Sequence, residues 1–152
     1  MIRKGGMKAK KVVIHGFEFH SQNEAAYYEY LIQNKESLNI KEIELQHTFD
    51  LIPSFKVVCF KCNGSKKVKG INARLINCKR CKGNGEVQRR GMSYTPDFII
   101  TYNDDTQMYV DVKNGRFTPK EFPYYKKIFE WRMGIYLVIA TYDGKKKEWV
   151  YK

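Results

Sequence analysis

The chain has 152 residues, 43% of them apolar, and a formal net charge of +12. That length suits one domain carrying a small insertion, and the apolar fraction supports a core. No apolar run approaches the roughly 18 residues that a membrane span needs. The basic start MIRKGGMKAKK leads into no apolar signal core, so a cytoplasmic protein is expected.

Residues 1–11 read as a flexible basic arm, and Val12 to Phe19 as a short, partly apolar stretch. Ser21 with Glu24 fits a capping box, and Ala25, Tyr28, Leu31 and Ile32 recur at helical spacing, which predicts a helix over 22–33. IELQHTFDLI (43–52) is rich in β-formers and reads as one strand ended by Pro53. Between 56 and 90 the apolar pattern thins, so this stretch reads as an insertion, with 1–55 and 91–152 as the core. YTPDFIITY and QMYVDVK form a predicted hairpin around Asn103-Asp104-Asp105. TPKEFPYYKKIFEWRM reads as a helix, with Thr118 or Phe122 before a helix-opening proline, stopped by Gly134. IYLVIATY is a predicted buried strand, and Asp143-Gly144 turns into a last strand, KKEWVY. No internal repeat is expected.

The charge is concentrated in the insertion. Residues 56–90 hold eleven Lys/Arg against one acid, Glu86, which is +10 and leaves +2 for the rest. Such a block suits an anionic polymer, nucleic acid above all. The residues expected to meet its phosphates are Lys66, Lys67, Lys69, Arg74, Lys79, Arg80, Lys82, Arg89 and Arg90.

The same segment holds all four cysteines, Cys59, Cys62, Cys78 and Cys81, as C-x2-C-x15-C-x2-C. Two Cys-x-x-Cys knuckles supply the four soft ligands of a tetrahedral Zn²⁺. A closed Cys₄ shell leaves no open position for catalysis, so one structural zinc is expected. CKRCKGNG also resembles the cysteine-glycine repeats of J-domain co-chaperones, a likeness of knuckle chemistry.

In the predicted hairpin, positions summing to about 208 face each other, which sets Asp97 opposite Asp111. Like charges there repel unless a cation lies between them. Two carboxylates and the Val112 carbonyl are hard oxygen ligands suited to Mg²⁺ or Mn²⁺. Lys113, on the Asp111 side of the strand, is placed to orient a water or stabilise charge building on a phosphate. Acid-x-Lys is common in a chain with 29% charged residues, and Asp143-Gly144-Lys145 is a second copy in a predicted turn. The Pro-Asp placed 14 residues upstream across a hairpin sets the first copy apart.

Pro96-Asp97 followed by Asp111-Val112-Lys113 resembles the PD-(D/E)xK nuclease superfamily. The likeness extends to small phage proteins through Phe19, Ser21 and Glu24 (F-x-S-x-x-E) and YTPDF, although Asn114 stands where a glycine is expected. The resemblance implies an α/β restriction-endonuclease-like core (αβββαβ, mixed sheet) with the zinc knuckle inserted between its first two strands. It also implies Mg²⁺-dependent endonuclease activity on DNA. Glu24 becomes a further metal ligand beside its capping role, and Lys126 a lysine near the site. Phage relatives of this kind resemble Holliday-junction resolvases of the endonuclease I type. That implies branched DNA, a homodimer, a part in recombination or replication, and the host cytoplasm. A non-catalytic zinc-containing nucleic-acid-binding protein and an RNA-processing or RNA-binding factor are the rival readings. His15, His20 and His47 show no ligand spacing, and Gln46 is a neighbour of the site at most.

Overall fold

The computed structural model describes residues 11–115 and 118–152. All of the expected basic arm except Lys11 lies outside them. The chain opens with a hairpin, β1 (Val12–Ile14) and β2 (Phe17–Phe19), followed by α1 (Gln22–Gln33). Then come β3 (Ile40–Leu45), β4 (Phe49–Ile52), β5 (Phe55–Val58), β6 (Lys67–Lys69), β7 (Leu75–Asn77), β8 (Glu86–Arg89) and β9 (Met92–Tyr94). β10 (Phe98–Tyr102), β11 (Gln107–Lys113), α2 (Phe122–Met133), β12 (Leu137–Asp143) and β13 (Glu148–Tyr151) complete the chain. No helix among the described residues is long and apolar enough to cross a membrane.

The elements sort into two units: residues up to Thr48 together with those from Thr95, and Phe49–Tyr94. The first unit is a mixed α/β structure. Its five-stranded sheet runs β13-β12-β11-β10-β3. Every neighbouring pair is antiparallel except β11 and β12, which are parallel and joined through α2. A parallel pair needs such a crossover, because a tight turn only reverses the chain.

α1 starts where its capping box was expected. The Glu24 N–H donates to Ser21 Oγ at 3.1 Å, and Ser21 Oγ donates back to Glu24 Oε1 at 2.8 Å. Ala25, Tyr27, Tyr28 and Leu31 are then buried against Phe98, Ile100, Val110 and Val112. Those strand residues alternate, so they share one sheet face. Ile99, Tyr109 and Asp111 occupy the opposite face, where Phe129 of α2 stands 6.0 Å from the Tyr109 ring. Pro123 lies in the first turn of α2, and Gly134 ends it at φ 66°, a left-handed geometry that glycine adopts without a Cβ clash. Of the two expected starts, Thr118 and Phe122, each followed by a proline, the helix takes Phe122.

The single strand expected over 43–52 is two strands in different units. Gln46 adopts φ 54°, which breaks the extended run, and its N–H donates to the Asp97 carbonyl at 3.3 Å. The Thr48 and Thr95 hydroxyls meet at 2.8 Å where the chain leaves and re-enters this unit. The inserted unit is therefore Phe49–Tyr94, wider than the expected 56–90, because β4 and β9 pair outside the cysteine segment.

Candidate functional site

The inserted unit is a ladder of three hairpin-like pairs, β4–β9, β5–β8 and β6–β7. The four cysteines lie between the second and third pairs. They are free thiols, buried, and their Sγ atoms lie within 4.8 Å of one another. Cys59 and Cys78 are 3.8 Å apart, and Cys62 and Cys81 3.7 Å. A disulfide needs about 2.05 Å. A tetrahedron with Zn–S bonds of about 2.3 Å has edges of about 3.8 Å. The thiols thus fit a metal ion such as zinc. Apart from Val68 and Val87, little apolar matter packs on them, so the metal would be the core of this unit.

The knuckles are related by a shift of 19 residues, and here the expectation of no internal repeat fails. The Cys59 N–H donates to the Gly85 carbonyl at 2.8 Å, and the Cys78 N–H to the Lys66 carbonyl at 2.9 Å. Ser65 N–H returns to Cys62 O at 2.9 Å, and Asn84 N–H to Cys81 O at 3.0 Å. Asn63-Gly64 and Lys82-Gly83 both take positive φ. Val68 and Val87 obey the same shift, and so do the strands, with β5 matching β7 and β6 matching β8. Each half closes the other, a pseudo-twofold arrangement. The visible signal is thin: two cysteines, one glycine and one valine per repeat.

Backbone donors tune the thiols. Burial raises the Cys62 thiol to about 11, with the neighbouring Cys81 adding to the effect. Burial acts the same way on Cys81, but the Gly85 N–H, 3.3 Å from its sulfur, and neighbouring donors bring it down to about 7. Gly85 has φ +79°, and a Cβ there would stand 2.7 Å from the Gly64 carbonyl. Gly85→Ala is therefore expected to accelerate metal loss to a chromogenic chelator by about 10-fold or more, the scale found when partners around metal ligands are disturbed.

Around the knuckles the cations face solvent. Lys66, Lys67, Lys69, Arg74, Lys79, Arg80, Lys82, Arg89 and Arg90 are all exposed. From Leu51 to Gly85 the chain carries nine Lys/Arg and no acid. The Arg80 guanidinium stacks over the exposed Phe60 ring at 4.4 Å, joining the two knuckles on their outer side.

The second cluster belongs to the five-stranded sheet. Phe98 pairs with Val110, so the hairpin has the register that places Asp97 opposite Asp111. Asp97 Oδ2 accepts the Val112 N–H at 2.7 Å. Burial, then Asp111, then Glu24 push the Asp97 carboxyl up to about 8. Asp111 is 3% exposed, and its Oδ2 makes an ion pair with Lys113 but no well-formed hydrogen bond. The Lys113 ammonium also sits 4.4 Å above the Phe122 ring, at the start of α2.

Glu24 feels this pair electrostatically, yet its carboxylate is held by Ser21 and by the His20 N–H at 3.1 Å. Among the described residues the four thiols are the one group of three or more candidate ligands that converge so closely. Lys126 is committed locally. It pairs with Glu130 at 2.5 Å, donates to the Leu137 carbonyl and lies 4.1 Å over the Tyr136 ring, so it ties α2 to β12. Gln46 and His20 meet side chain to side chain at 3.2 Å, beside the backbone of Asp97. His47 contacts Glu44 at 2.5 Å, and the His15 ring packs 6.3 Å from that of Tyr28. The sequence offered no sign of the Phe122 platform under Lys113, because two residues nine apart, one on a strand and one on a helix, share no periodicity.

Fold and site together define a mixed α/β protein with an inserted four-cysteine module suited to a metal ion such as zinc. Residues 4–152 match the family described as Protein of unknown function (DUF1064), and the chain belongs to that family. Comparison with curated proteins finds no match.

Proposed function

We propose that this protein is a metal-dependent DNA endonuclease with a PD-(D/E)xK-type site, acting on branched DNA and holding phosphates with its zinc module. The observation that carries the reading is the hairpin register, which sets Asp97 against Asp111 with Lys113 on the same face. Two further facts support it. Asp97 is raised to about 8, and Asp111 is buried with an oxygen lacking a hydrogen bond. The first marks a carboxyl whose charge burial and its acidic neighbours disfavour, and the second an acid whose partner is the Lys113 ammonium alone. The donor set, two carboxylates and the Val112 carbonyl, suits a hard divalent cation.

Mg²⁺ held by Asp97, Asp111 and that carbonyl would supply Lewis-acid stabilisation of the charge developing on the phosphate. Asp97 must lose its proton to serve as a ligand, so cleavage rises with pH up to about 8. The Val112 N–H fixes the orientation of Asp97. Lys113 neutralises Asp111 and would have to release it for Asp111 to hold such an ion. The freed ammonium would then be placed to orient the attacking water. Glu24, kept in the helix cap, contributes charge from a distance. The exposed cations grip backbone phosphates, contacts that position DNA without reading sequence.

The zinc-loaded protein should be incubated with a four-way junction and a matched linear duplex, with and without added Mg²⁺. Junction cutting that depends on Mg²⁺ is expected. Equal cutting of both substrates would remove the preference for branched DNA. Absence of cutting with any divalent metal would overturn the nuclease and leave a nucleic-acid-binding zinc protein. Lys113→Ala is expected to lower the cleavage rate about 10²–10⁴-fold, a typical range for a positioned proton-transfer group. DNA affinity should stay within about twofold, because the phosphate contacts lie elsewhere.

A further inference from the structure

The far end of the inserted unit combines exposed apolar side chains with exposed cations. The β6–β7 pair ends in a tip, residues 70–74, closed by the Gly70 N–H donating to the Arg74 carbonyl at 2.8 Å. Asn72 and Ala73 are both left-handed there, at φ 61° and 60°. Ile71 on this tip is 90% exposed, and Leu75, just after it, is 62% exposed.

The strand pairing explains which side is free. Val68 pairs with Ile76, and Val68 packs on the thiol cluster, so that face is turned toward the thiols, with Ile76 at its edge still 40% exposed. Lys69 pairs with Leu75, and Lys67 with Asn77, on the other face. The tip therefore presents two apolar side chains flanked by Lys67, Lys69 and Arg74, with no acid anywhere between Leu51 and Gly85. It stands at the far end of the ladder from Phe49 and Tyr94, where the chain enters and leaves. Single exposed apolar residues are ordinary on protein surfaces. Two on a closed, cation-flanked tip suit a partner that is both anionic and apolar.

We propose that this tip is a wedge for DNA, inserting Ile71 against an unstacked base step while Lys67, Lys69 and Arg74 hold the flanking phosphates. Base faces are apolar and the backbone is anionic, so one ligand satisfies both parts. Proteins that kink DNA use apolar side chains between base steps in this way. A branch point is the cheapest place for such insertion, since stacking is already interrupted there. The wedge rests on the nuclease reading and deepens it, giving recognition of the branch to a part of the chain remote in sequence from the acids.

The test uses the zinc-loaded full chain with no added divalent ion, so binding is read without cleavage. The probe is a four-way junction with 2-aminopurine beside the branch. Wild-type binding is expected to raise its fluorescence about threefold or more, and the double variant Ile71→Ala/Leu75→Ala to lose at least half of that rise. Both sites are exposed, so folding is expected to persist, which retained zinc content checks. Neutralising Lys67, Lys69 and Arg74 should instead weaken binding at least about 10-fold and lower the salt slope by about 3, one for each phosphate no longer neutralised. An unchanged rise in the Ile71/Leu75 variant, or tight binding with no rise, overturns the wedge. So does binding to single-stranded RNA or to anionic phosphatidylserine vesicles in preference to the junction. Mg²⁺-dependent cleavage measured in parallel separates the two ideas. Cutting without unstacking removes the wedge alone, whereas the absence of both cutting and DNA binding removes the nuclease as well.

Discussion

Replacing Asp97 by asparagine is expected to stabilise the metal-free protein while abolishing cleavage. The sign follows from the raised carboxyl, about 8 in the folded chain against an ordinary 3.8. Folding favours the protonated acid, so the carboxylate costs nothing at pH 4. The penalty grows as pH rises toward about 8 and is constant above that. Asparagine removes it and still accepts the Val112 N–H through its side-chain carbonyl. Melting temperatures of variant and wild type should coincide near pH 4 and diverge to about 3–8 °C at pH 8.5, the shift that about 1–2 kcal/mol gives a chain of this size. Added Mg²⁺ should close the gap by stabilising the wild type alone, since a ligand that binds only the folded state raises its stability. Cleavage by the variant should fall about 10³-fold or more, or below detection. A wild type that is more stable than the variant at pH 8.5 without metal would mean that Asp97 is compensated, and the cation site would lose its basis.

Replacing Cys78 by serine should have the larger structural effect. Metal content is expected to fall from one ion per chain to none, and Phe49–Tyr94 to lose its β-structure. Its buried apolar side chains are the four thiols and Leu51, so no hydrophobic core would remain without the metal. Structural zinc contributes on the order of 10–16 kcal/mol of binding free energy in small modules, which here is folding free energy. The sheet of the first unit and its packing on α1 should persist, because Tyr27, Leu31, Phe98 and Ile100 do not depend on the cysteines. Limited proteolysis should then cut within 49–94 and spare the rest, and DNA affinity should drop at least about 10-fold as nine cations lose their fixed spacing. Intact protection of 49–94 in metal-free protein would show that the thiols are not its core.

Much of this was legible because the signals are local. Ser21 and Glu24 announce a capped helix start, Gly134 its counterpart at the end of α2, and C-x2-C pairs announce a knuckle. The hairpin register also followed from a turn near Asp104, since alternation propagates along a ladder without error until a bulge intervenes. The break at Gln46 was not legible. A left-handed glutamine carries no propensity mark, and the bond from its N–H to the Asp97 carbonyl exists only after the chain returns from the insertion. The 19-residue repeat was equally hidden, because its halves share shape through crossed backbone bonds, Cys59 to Gly85 and Cys78 to Lys66, more than through residue identity.

By itself the sequence determined that this chain holds a mixed α/β core, a four-cysteine insertion and an acid-x-Lys strand opposite a Pro-Asp strand, since spacing and alternation act over a few residues. Only the tertiary structure decided which groups are engaged: Lys113 on Asp111 and Phe122, Glu24 in its cap, Lys126 on Glu130, and Ile71 on an open tip. The reason is physical. A side chain's charge state and availability depend on burial and on partners far away in the chain, and both are set only when the sheet and the ladder close.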